Sequence, residues 1–362
     1  MSFDTTSSPL LEALEEHLVA QLLSPTAQLQ YSSGNVGHAE LKPYVEEIRR
    51  ISDRYTTHSV GSALPAPIDT RRAADAYALY YTPLNAAKLI FLTQHLVCNA
   101  PHLRILDFGS GPGTAVLALL SALKATFDVW CVETSPSMRA TAQKLLSSWQ
   151  GPSTVTKLAL SATLPPESEG SFDLVIAANS VAELEEAHAL SLVQELSQRV
   201  APKGFLLLLE PGQLAHTRRL MSLRDRLVSQ MTPIFPCTRR DPCPMLRASE
   251  SDWCHGTLTW AQPKLSRQMD SLLGFNKHRI KFSAFIFQRD GLLRDGIRVI
   301  SPPEKTPRGI EVTVCGRERY GVVRIKKGER TAGTRALERA DVFDRLTCVE
   351  LQGDAVYSLC EP

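Results

Sequence analysis

The chain has 362 residues, which is long enough for roughly two domains that each bury a core. Its composition, 43% hydrophobic and 22% charged, is that of an ordinary globular protein and excludes a disordered or fibrous chain. No apolar run approaches the ~18 residues that a membrane-spanning helix needs. The net charge of +2 conceals an asymmetry: residues 211–345 carry 26 Lys and Arg against 14 Asp and Glu, and the remainder carries 14 against 24.

The beginning of the chain contains acidic residues and no early arginine, unlike a secretory or mitochondrial targeting segment: Asp4, Glu12, Glu15 and Glu16. We therefore expect a cytoplasmic protein without a membrane partner, with a monomer as the simplest oligomeric state. A reducing compartment makes disulfides an improbable use for clustered cysteines. Each basic block by itself is most simply a solvated face, but together the blocks favour a polyanionic partner such as RNA.

The first part of the chain, residues 1–100, is predicted to be a helical region. Ser8 is a suitable N-cap and Pro9 suits the first helical position of the segment that follows. Later in the region, the long apolar stretch 71–97 contains Pro83, which we expect to break it into two helices.

Residues 101–230 alternate short apolar strands with amphipathic helices, which predicts an α/β core: a mostly parallel, Rossmann-like sheet with helices on both faces. The strand candidates are RILDF, FDVWCVE, TVTKLAL, FDLVIAAN and GFLLLLE. Residues 231–362 form a cysteine-containing, β-rich and basic C-terminal extension, with a candidate helix at 334–345.

The stretch LRILDFGSGPGTAVLALL places a strand, a glycine loop and a helix in direct succession, with Asp107 at the strand end. Gly109, Gly111 and Gly113 let the backbone adopt positive φ and approach a cofactor closely. Their spacing differs from the dinucleotide fingerprint and resembles motif I of class I S-adenosylmethionine-dependent methyltransferases. The next strand ends in Glu133, and an acid there can accept hydrogen bonds from ribose hydroxyls.

The fourth strand of the core ends at Asn179 and Ser180, where methyltransferases of this class face the methyl group. Asn179 is therefore the candidate catalytic residue, although an asparagine that merely caps the strand end fits equally well. The sequence [DN]-P-P-[FY], typical of enzymes that methylate base amino groups, does not occur there.

The segment PCTRRDPCPMLRASESDWC concentrates Cys237, Cys243 and Cys254 among three prolines, which keep it extended. Such a loop suits a metal centre better than a helix with buried thiols. The spacing is atypical for zinc, whereas an iron–sulfur cluster tolerates irregular spacing. Cys315, at a later strand end, is a better fourth ligand than His255, because His255 directly follows Cys254.

The other cysteines are not clustered with further candidate ligands. Cys98 and Cys131 lie in apolar segments and are most simply small buried side chains. Cys348 and Cys360 stand alone near the end of the chain.

Taken in order, the motifs LDFGSGPGTA, VETSPSM, LLLEPG, PCTRRDPCP and DWCHG, followed by a lone cysteine, resemble a known family. It is the methyltransferase-like family associated with the small subunit of mitochondrial ribosomes, which has bacterial members. The resemblance covers roughly residues 70–330. One departure is that family members often continue the first cysteine as Cys-Pro-His, where this chain has Thr238 and Arg239.

The resemblance implies a class I methyltransferase fold, a [4Fe–4S] cluster and a role in assembly of the small ribosomal subunit. By position, the cluster ligands would be Cys237, Cys243, Cys254 and Cys315, and S-adenosylmethionine would contact the loop at 107–113 and Glu133. The acidic chain start suggests a bacterial, cytoplasmic member.

Three functions remain open at this stage. The chain could be a methyltransferase that acts on small-subunit rRNA, or a catalytically silent assembly factor of that subunit that binds the same rRNA. A third interpretation is a small-molecule methyltransferase with a structural zinc in place of the cluster.

Overall fold

The computed structural model describes the following residues: 8–57, 68–96, 100–182, 184–316, 320–326, 328, 331–347, 349–352 and 355–358. Three cysteines discussed above lie outside these ranges: Cys98, Cys348 and Cys360. The chain folds into two compact units. Residues 3–206 and 258–280 form the N-terminal unit, and residues 207–257 and 281–362 form the C-terminal unit.

The N-terminal unit begins with helices, as predicted: α1 (Ser8–Leu22), α2 (Pro25–Ser33), α3 (His38–Thr57) and α4 (Arg71–Thr93). The predicted break at Pro83 is wrong, because α4 is continuous through this residue. A proline inside a helix costs about 3 kcal/mol. Burial of large apolar side chains, such as Leu79, Leu84 and Leu89 of α4, contributes about 1.5–3 kcal/mol each, so packing outweighs the lost hydrogen bond.

The rest of the N-terminal unit alternates strands and helices: β1 (His102–Phe108), α5 (Thr114–Ala122), β2 (Thr126–Val132), α6 (Pro136–Ser147), β3 (Thr154–Ser161), β4 (Phe172–Ala178), α7 (Glu186–Gln198) and the first part of β5 (Val200–Pro211). The strand order is β3–β2–β1–β4–β5, and β1 pairs in parallel with both β2 and β4. Ile105 of β1 lies between Val129 and Leu174, and all three are fully buried, which explains the continuous apolar runs in the sequence.

The C-terminal unit contains the end of β5 and the following elements: α8 (Leu214–Leu227), β6 (Thr232–Phe235), α9 (Pro244–Ala248) and most of β8 (Arg279–Gln288). Here the order is β5–β8–β6, with β8 antiparallel to β6. The short strand β7 (Gly256–Thr259) and helix α10 (Lys264–Leu273) lie between α9 and β8 along the chain.

A second, antiparallel sheet follows in the C-terminal unit, in the order β10–β11–β9–β13 with β12 paired to β11. Its strands are β9 (Ile297–Val299), β10 (Glu304–Thr306), β11 (Gly309–Cys315), β12 (Tyr320–Lys326) and β13 (Arg345–Leu346). Helix α11 (Ala332–Glu338) ends earlier than the predicted helix 334–345, and β14 (Val349–Gln352) pairs with β15 (Ala355–Ser358). Valine and isoleucine side chains of β9, β11 and β12 pack with Leu337 into a separate core.

This arrangement confirms the predicted fold class. It is the Rossmann-like α/β fold of class I methyltransferases, preceded by helices and extended by a β-rich, cysteine-containing region. The division at residues 100 and 230 stays a prediction. Within the ranges that the structure describes, no helix is both long and apolar enough to cross a membrane.

Candidate functional site

The glycine loop connects β1 to α5 in the N-terminal unit. Gly109, Gly111 and Gly113 all have positive φ, at 66°, 53° and 83°, a region of backbone conformation that residues other than glycine rarely adopt. Gly113 is the N-cap of α5, and no side chain caps this helix. The loop therefore exposes the positive end of the helix dipole, which attracts anionic or electron-rich groups.

Two of these glycines have different surroundings. A Cβ on Gly109 would lie 2.4 Å from the Cβ of Ser180, so only glycine fits between the ends of β1 and β4. A Cβ on Gly111 would meet no atom within 4 Å. The Gly111 backbone therefore borders open space, where a ligand can approach it.

Glu133 follows β2 and reaches the same loop. Its Oε2 accepts the N–H of Gly111 at 3.0 Å, and its Oε1 accepts the N–H of Ser135 at 2.8 Å. The carboxylate is partly exposed; Oε1 also accepts the Thr134 hydroxyl at 3.5 Å, and Oε2 has a further lone pair. The structure thus brings the acid and the glycines together, and the acid retains acceptor capacity for ribose hydroxyls.

Asp107 is only 1% exposed, and its Oδ2 has no hydrogen-bond partner. Burial, together with the charge of Glu133, raises the pKa of the Asp107 carboxyl from its ordinary 3.8 to about 8. The group is therefore protonated at neutral pH. A cation bound nearby would favour its ionised form.

Asn179 follows β4 with φ at 55°, a left-handed conformation that asparagine tolerates better than most residues. The neighbouring Ser180 donates its hydroxyl to the carbonyl of Phe108 at 3.3 Å. Ser180 therefore connects the ends of β4 and β1, and its hydroxyl has a structural partner. The candidate catalytic position is adjacent to the glycine loop along this edge of the sheet.

The sequence-based prediction missed one contact of the loop. The buried hydroxyls of Thr82 in α4 and Thr114 in α5 lie 2.8 Å apart and hydrogen-bond to each other. Thr114 immediately follows the last loop glycine. The expected helix break at Pro83 concealed this contact, because it assigned Thr82 to a helix end.

The four cysteines predicted as ligands line one cavity of the C-terminal unit. Cys237 follows β6, Cys243 is the N-cap of α9, Cys254 precedes β7 and Cys315 ends β11. The free space between the lining atoms is about 430 Å³, including the part open to solvent. All four are free thiols, as is Cys131, which is buried in β2 as expected.

Two nearly fully buried arginines also line this cavity. Arg224 in α8 is 1% exposed, and its Nη1 donates to Oδ1 of Asp225 at 2.7 Å. Arg298 in β9 is 3% exposed and donates from Nε to the carbonyl of Pro236 at 2.5 Å. The cavity thus combines thiols with buried positive charge, a setting that favours anionic sulfur.

Burial opposes the ionisation of three of these thiols. Burial raises the pKa of Cys254 well above its ordinary value, and it raises the pKa of Cys315 to about 12. Burial also raises the pKa of Cys243, whose backbone N–H donates to both Asp225 carboxylate oxygens at 2.9 Å. A metal centre would therefore have to displace protons from these thiols.

The side chains of the cavity do not form a site for a single metal ion. Among the described residues, no three His, Cys, Asp or Glu side chains are placed to hold a single metal ion. Ligands of a multi-iron cluster stand farther apart, because each binds a different iron. His255 is absent from the cavity lining and stacks on Trp253 at 4.8 Å between ring centroids.

The basic character of residues 211–345 is more divided than the sequence suggests. Four of its positive residues belong to segment 258–280 of the N-terminal unit, and Arg224 and Arg298 are buried. In the cysteine segment, Arg240 and Arg247 are exposed, whereas Arg239 is partly buried and donates to the carbonyl of Gly316 at 3.2 Å. Only the exposed arginines are available to a large polyanion.

Similar solved structures are methyltransferases at low identity. A candidate class I S-adenosylmethionine-dependent methyltransferase from Listeria monocytogenes shares 11% identity, covering 77% of this chain and 79% of that chain, with a TM-score of 0.37. Magnesium protoporphyrin IX methyltransferase from Synechocystis PCC 6803, solved with bound SAM, shares 13% over 68% of this chain and 97% of that chain, with a TM-score of 0.35. The plantazolicin methyltransferase BpumL, in complex with SAH, shares 12% over 78% and 100%, with a TM-score of 0.37. Likenesses this distant carry no argument about function.

No curated protein matches the chain significantly. One family model does match: it is described as "Mitochondrial small ribosomal subunit Rsm22" and covers residues 71–343, about three quarters of the chain. The matched range includes both the glycine loop and all four cysteines of the cavity. The chain therefore belongs to the Rsm22 family.

Proposed function

We propose that this protein is a methyltransferase-like factor that acts on or binds small-subunit rRNA during ribosome assembly. In this proposal the glycine loop binds S-adenosylmethionine, and the cysteine cavity holds a [4Fe–4S] cluster. The family match over residues 71–343 is the observation that carries the ribosomal part. A bacterial, cytoplasmic location stays a prediction, and the family description names the mitochondrial subunit.

Binding of S-adenosylmethionine is supported by the chemistry of the loop. The backbone of Gly111 is accessible to a ligand, and Glu133 can accept hydrogen bonds from ribose hydroxyls. The N-terminus of α5 has no side-chain cap. The ligand also carries a positive sulfonium and ammonium. The two carboxyl groups of Asp107 and Glu133 make the site suitable for a cation.

A [4Fe–4S] cluster is supported by four free thiols that line one cavity. Among the described residues no group of side chains could hold a single metal ion, which disfavours the zinc of the third interpretation, a small-molecule enzyme. Cys237, Cys243, Cys254 and Cys315 would hold the cluster. When bound, it would supply a covalent brace between segments that are distant in sequence, so that its binding energy becomes folding energy of the C-terminal unit.

A catalytically silent assembly factor is a second candidate, favoured by the end of β4. Asn179 has no ionisable side chain, and the Ser180 hydroxyl is already bonded to the Phe108 carbonyl. Neither residue is an evident proton acceptor. In this case the cofactor site would serve binding alone.

One experiment separates the two candidates. We would map methylated nucleotides of small-subunit rRNA in a strain without the gene, and in the same strain complemented with the wild type or with Gly111→Ala. The enzyme predicts one or more methyl groups lost on deletion and restored only by the wild type. An unchanged methylation profile in every strain, with subunit assembly impaired on deletion, would establish the silent factor.

Binding of S-adenosylmethionine is tested directly by calorimetry on the purified full chain. Heat should be released by the wild type and not by Gly111→Ala. Absence of binding by the wild type, for both S-adenosylmethionine and its demethylated product, would exclude the enzyme.

The cluster is tested by anaerobic purification of the full chain. We expect brown protein with about four iron and four sulfide per chain, as the cluster formula requires. Colourless protein with stoichiometric zinc would contradict the cluster while preserving the ligand positions.

A further inference from the structure

Arg298 has an unusual environment for a charged side chain. It is 3% exposed, lines the cysteine cavity, and packs over the ring of Phe235 at 5.5 Å. Its Nε–H donates to the carbonyl of Pro236, and Nη1 donates to the carbonyl of Phe343. Both acceptors are neutral, so the guanidinium has hydrogen bonds but no compensating charge from them.

No acidic side chain in the described part of the chain pairs with this charge. Among the described residues, no Asp or Glu oxygen lies within 4.0 Å of Arg298. The positive side chains of Arg294 and Arg345 act on it, and so do the sulfurs of Cys237 and Cys254, which are the proposed cluster ligands. A buried cation among neutral partners and like charges is strongly destabilising unless an anion lies nearby.

Arg224 provides the contrast within the same cavity. It is equally buried, but its Nη1 donates to the carboxylate of Asp225 at 2.7 Å, so this arginine already has a counter-ion. The third arginine of the lining, Arg239, is partly buried and pairs with Asp241 at 3.2 Å. Among the described residues, Arg298 is therefore the cavity arginine without a carboxylate partner.

A thiolate-bound cluster has the missing charge. An oxidised [4Fe–4S] core carries two positive charges, and with four thiolate ligands the whole centre is a dianion. Because no carboxylate of the described residues lies beside the buried Arg298, an anionic centre in the cavity would supply the compensating charge.

We propose that Arg298 is the counter-ion of the iron–sulfur centre, stabilising the thiolate-bound core and most of all its reduced state. This inference rests on the cluster of the proposed function. One-electron reduction, with dithionite as the electron donor, adds one negative charge to the centre without forming or breaking a bond. A fixed positive charge that lines the same cavity stabilises the more negative, reduced centre and so raises its reduction potential.

The test is a redox titration of the anaerobic full-length protein, followed by electron paramagnetic resonance of the reduced cluster. Arg298→Met and Arg298→Gln, which remove the charge, should shift the potential to lower values. Arg298→Lys should restore most of the wild-type potential, because the charge is retained. The matched control is Arg324→Gln, which removes one positive charge from an exposed position of β12 in the same unit, outside the cavity lining, and should leave the potential near that of the wild type.

Each outcome decides the proposal. An intact cluster in Arg298→Met or Arg298→Gln with an unchanged potential would overturn the counter-ion role alone and leave the proposed cluster standing. If neither neutral variant retains iron, iron retained by Arg298→Lys supports the role of the positive charge. Iron lost from Arg298→Lys as well overturns that role and assigns the effect to the shape of the guanidinium group. Absence of iron and sulfide from the wild type would overturn both the cluster and its counter-ion.

Discussion

The glycine loop and the cysteine cavity are two candidate sites of opposite electrical character. The loop brings together the carboxyls of Asp107 and Glu133, whereas the cavity combines four thiols with the buried guanidiniums of Arg224 and Arg298. The first arrangement suits a ligand with positive charge, and the second suits an anionic centre. One chain thus offers two sites whose charges select different partners.

The two sites also differ in what holds them together. The loop is built from one short stretch of chain, and its position is determined by the parallel pairing of β1 with β2 and β4. The cavity is assembled from several separate segments between residues 224 and 320. We therefore expect the loop to survive loss of its ligand and the cavity to depend on its occupant.

The largest effect is expected from a ligand substitution. Cys254→Ala should remove the iron and sulfide and lower the midpoint of thermal unfolding sharply, because metal binding contributes folding energy. Cys131→Ala is the matched control, since this thiol is also buried but lies in β2 of the N-terminal unit. This variant should keep the full metal content, and its free energy of unfolding should fall by only about 1–2 kcal/mol. Equal metal content in the two variants would remove the distinction between the sites.

A pH effect of several kcal/mol is expected at the loop. The pKa of Asp107 is about 8 in the folded protein, so between about pH 4 and pH 8 the folded state holds a proton that the unfolded chain releases. Stability should therefore fall by about 1.4 kcal/mol per unit as pH rises through this window. Urea unfolding of ligand-free protein at pH 6, 7 and 8 measures the slope.

Asp107→Asn provides the control for that experiment. It has no proton to release, so its unfolding free energy should lack the contribution of this group and decline less steeply over the same range. Parallel pH profiles for the variant and the wild type would show that the Asp107 carboxyl titrates normally.

Two alanine substitutions distinguish steric from functional glycines in the loop. Gly109→Ala should destabilise the protein by about 1–3 kcal/mol, because its Cβ would lie 2.4 Å from that of Ser180. Gly111→Ala has only the strain of positive φ, about 1–2 kcal/mol, yet it should abolish S-adenosylmethionine binding because its methyl group enters the open side. Chemical denaturation and calorimetry measure the two quantities. Equal stability losses would contradict the steric difference.

The smallest effect is expected at the surface of the C-terminal unit. Arg247 is exposed, so Arg247→Gln should weaken binding of an rRNA fragment several-fold and reduce the slope of log affinity against log salt by about 0.7–0.9. Arg239→Gln is the comparison, because Arg239 is partly buried against Gly316 and Asp241 and should change the slope less. Filter binding at several salt concentrations measures both, and identical slopes for the two variants would exclude a phosphate contact at Arg247.

Sequence alone determined the α/β fold, because strands buried on both faces are continuous apolar runs and the helices between them are amphipathic. It also located the loop, because Asp107 and the three glycines lie within a few residues of each other. The continuity of α4 through Pro83 was not predictable in this way, because it depends on burial that tertiary packing provides. For the same reason the Thr82–Thr114 contact was missed.

The cysteines show both what the sequence predicted and what it did not. Their crowding between residues 237 and 254 was visible in the sequence, and Cys315 could be named as their companion from its strand end. Only the tertiary structure decided that all four line one cavity and that Arg224 and Arg298 are buried beside them. It also decided that Arg298 has no carboxylate partner among the residues that the structure describes. The physical reason is that charge compensation depends on distance in space, and β9, β11 and α8 meet there through packing that no local pattern encodes.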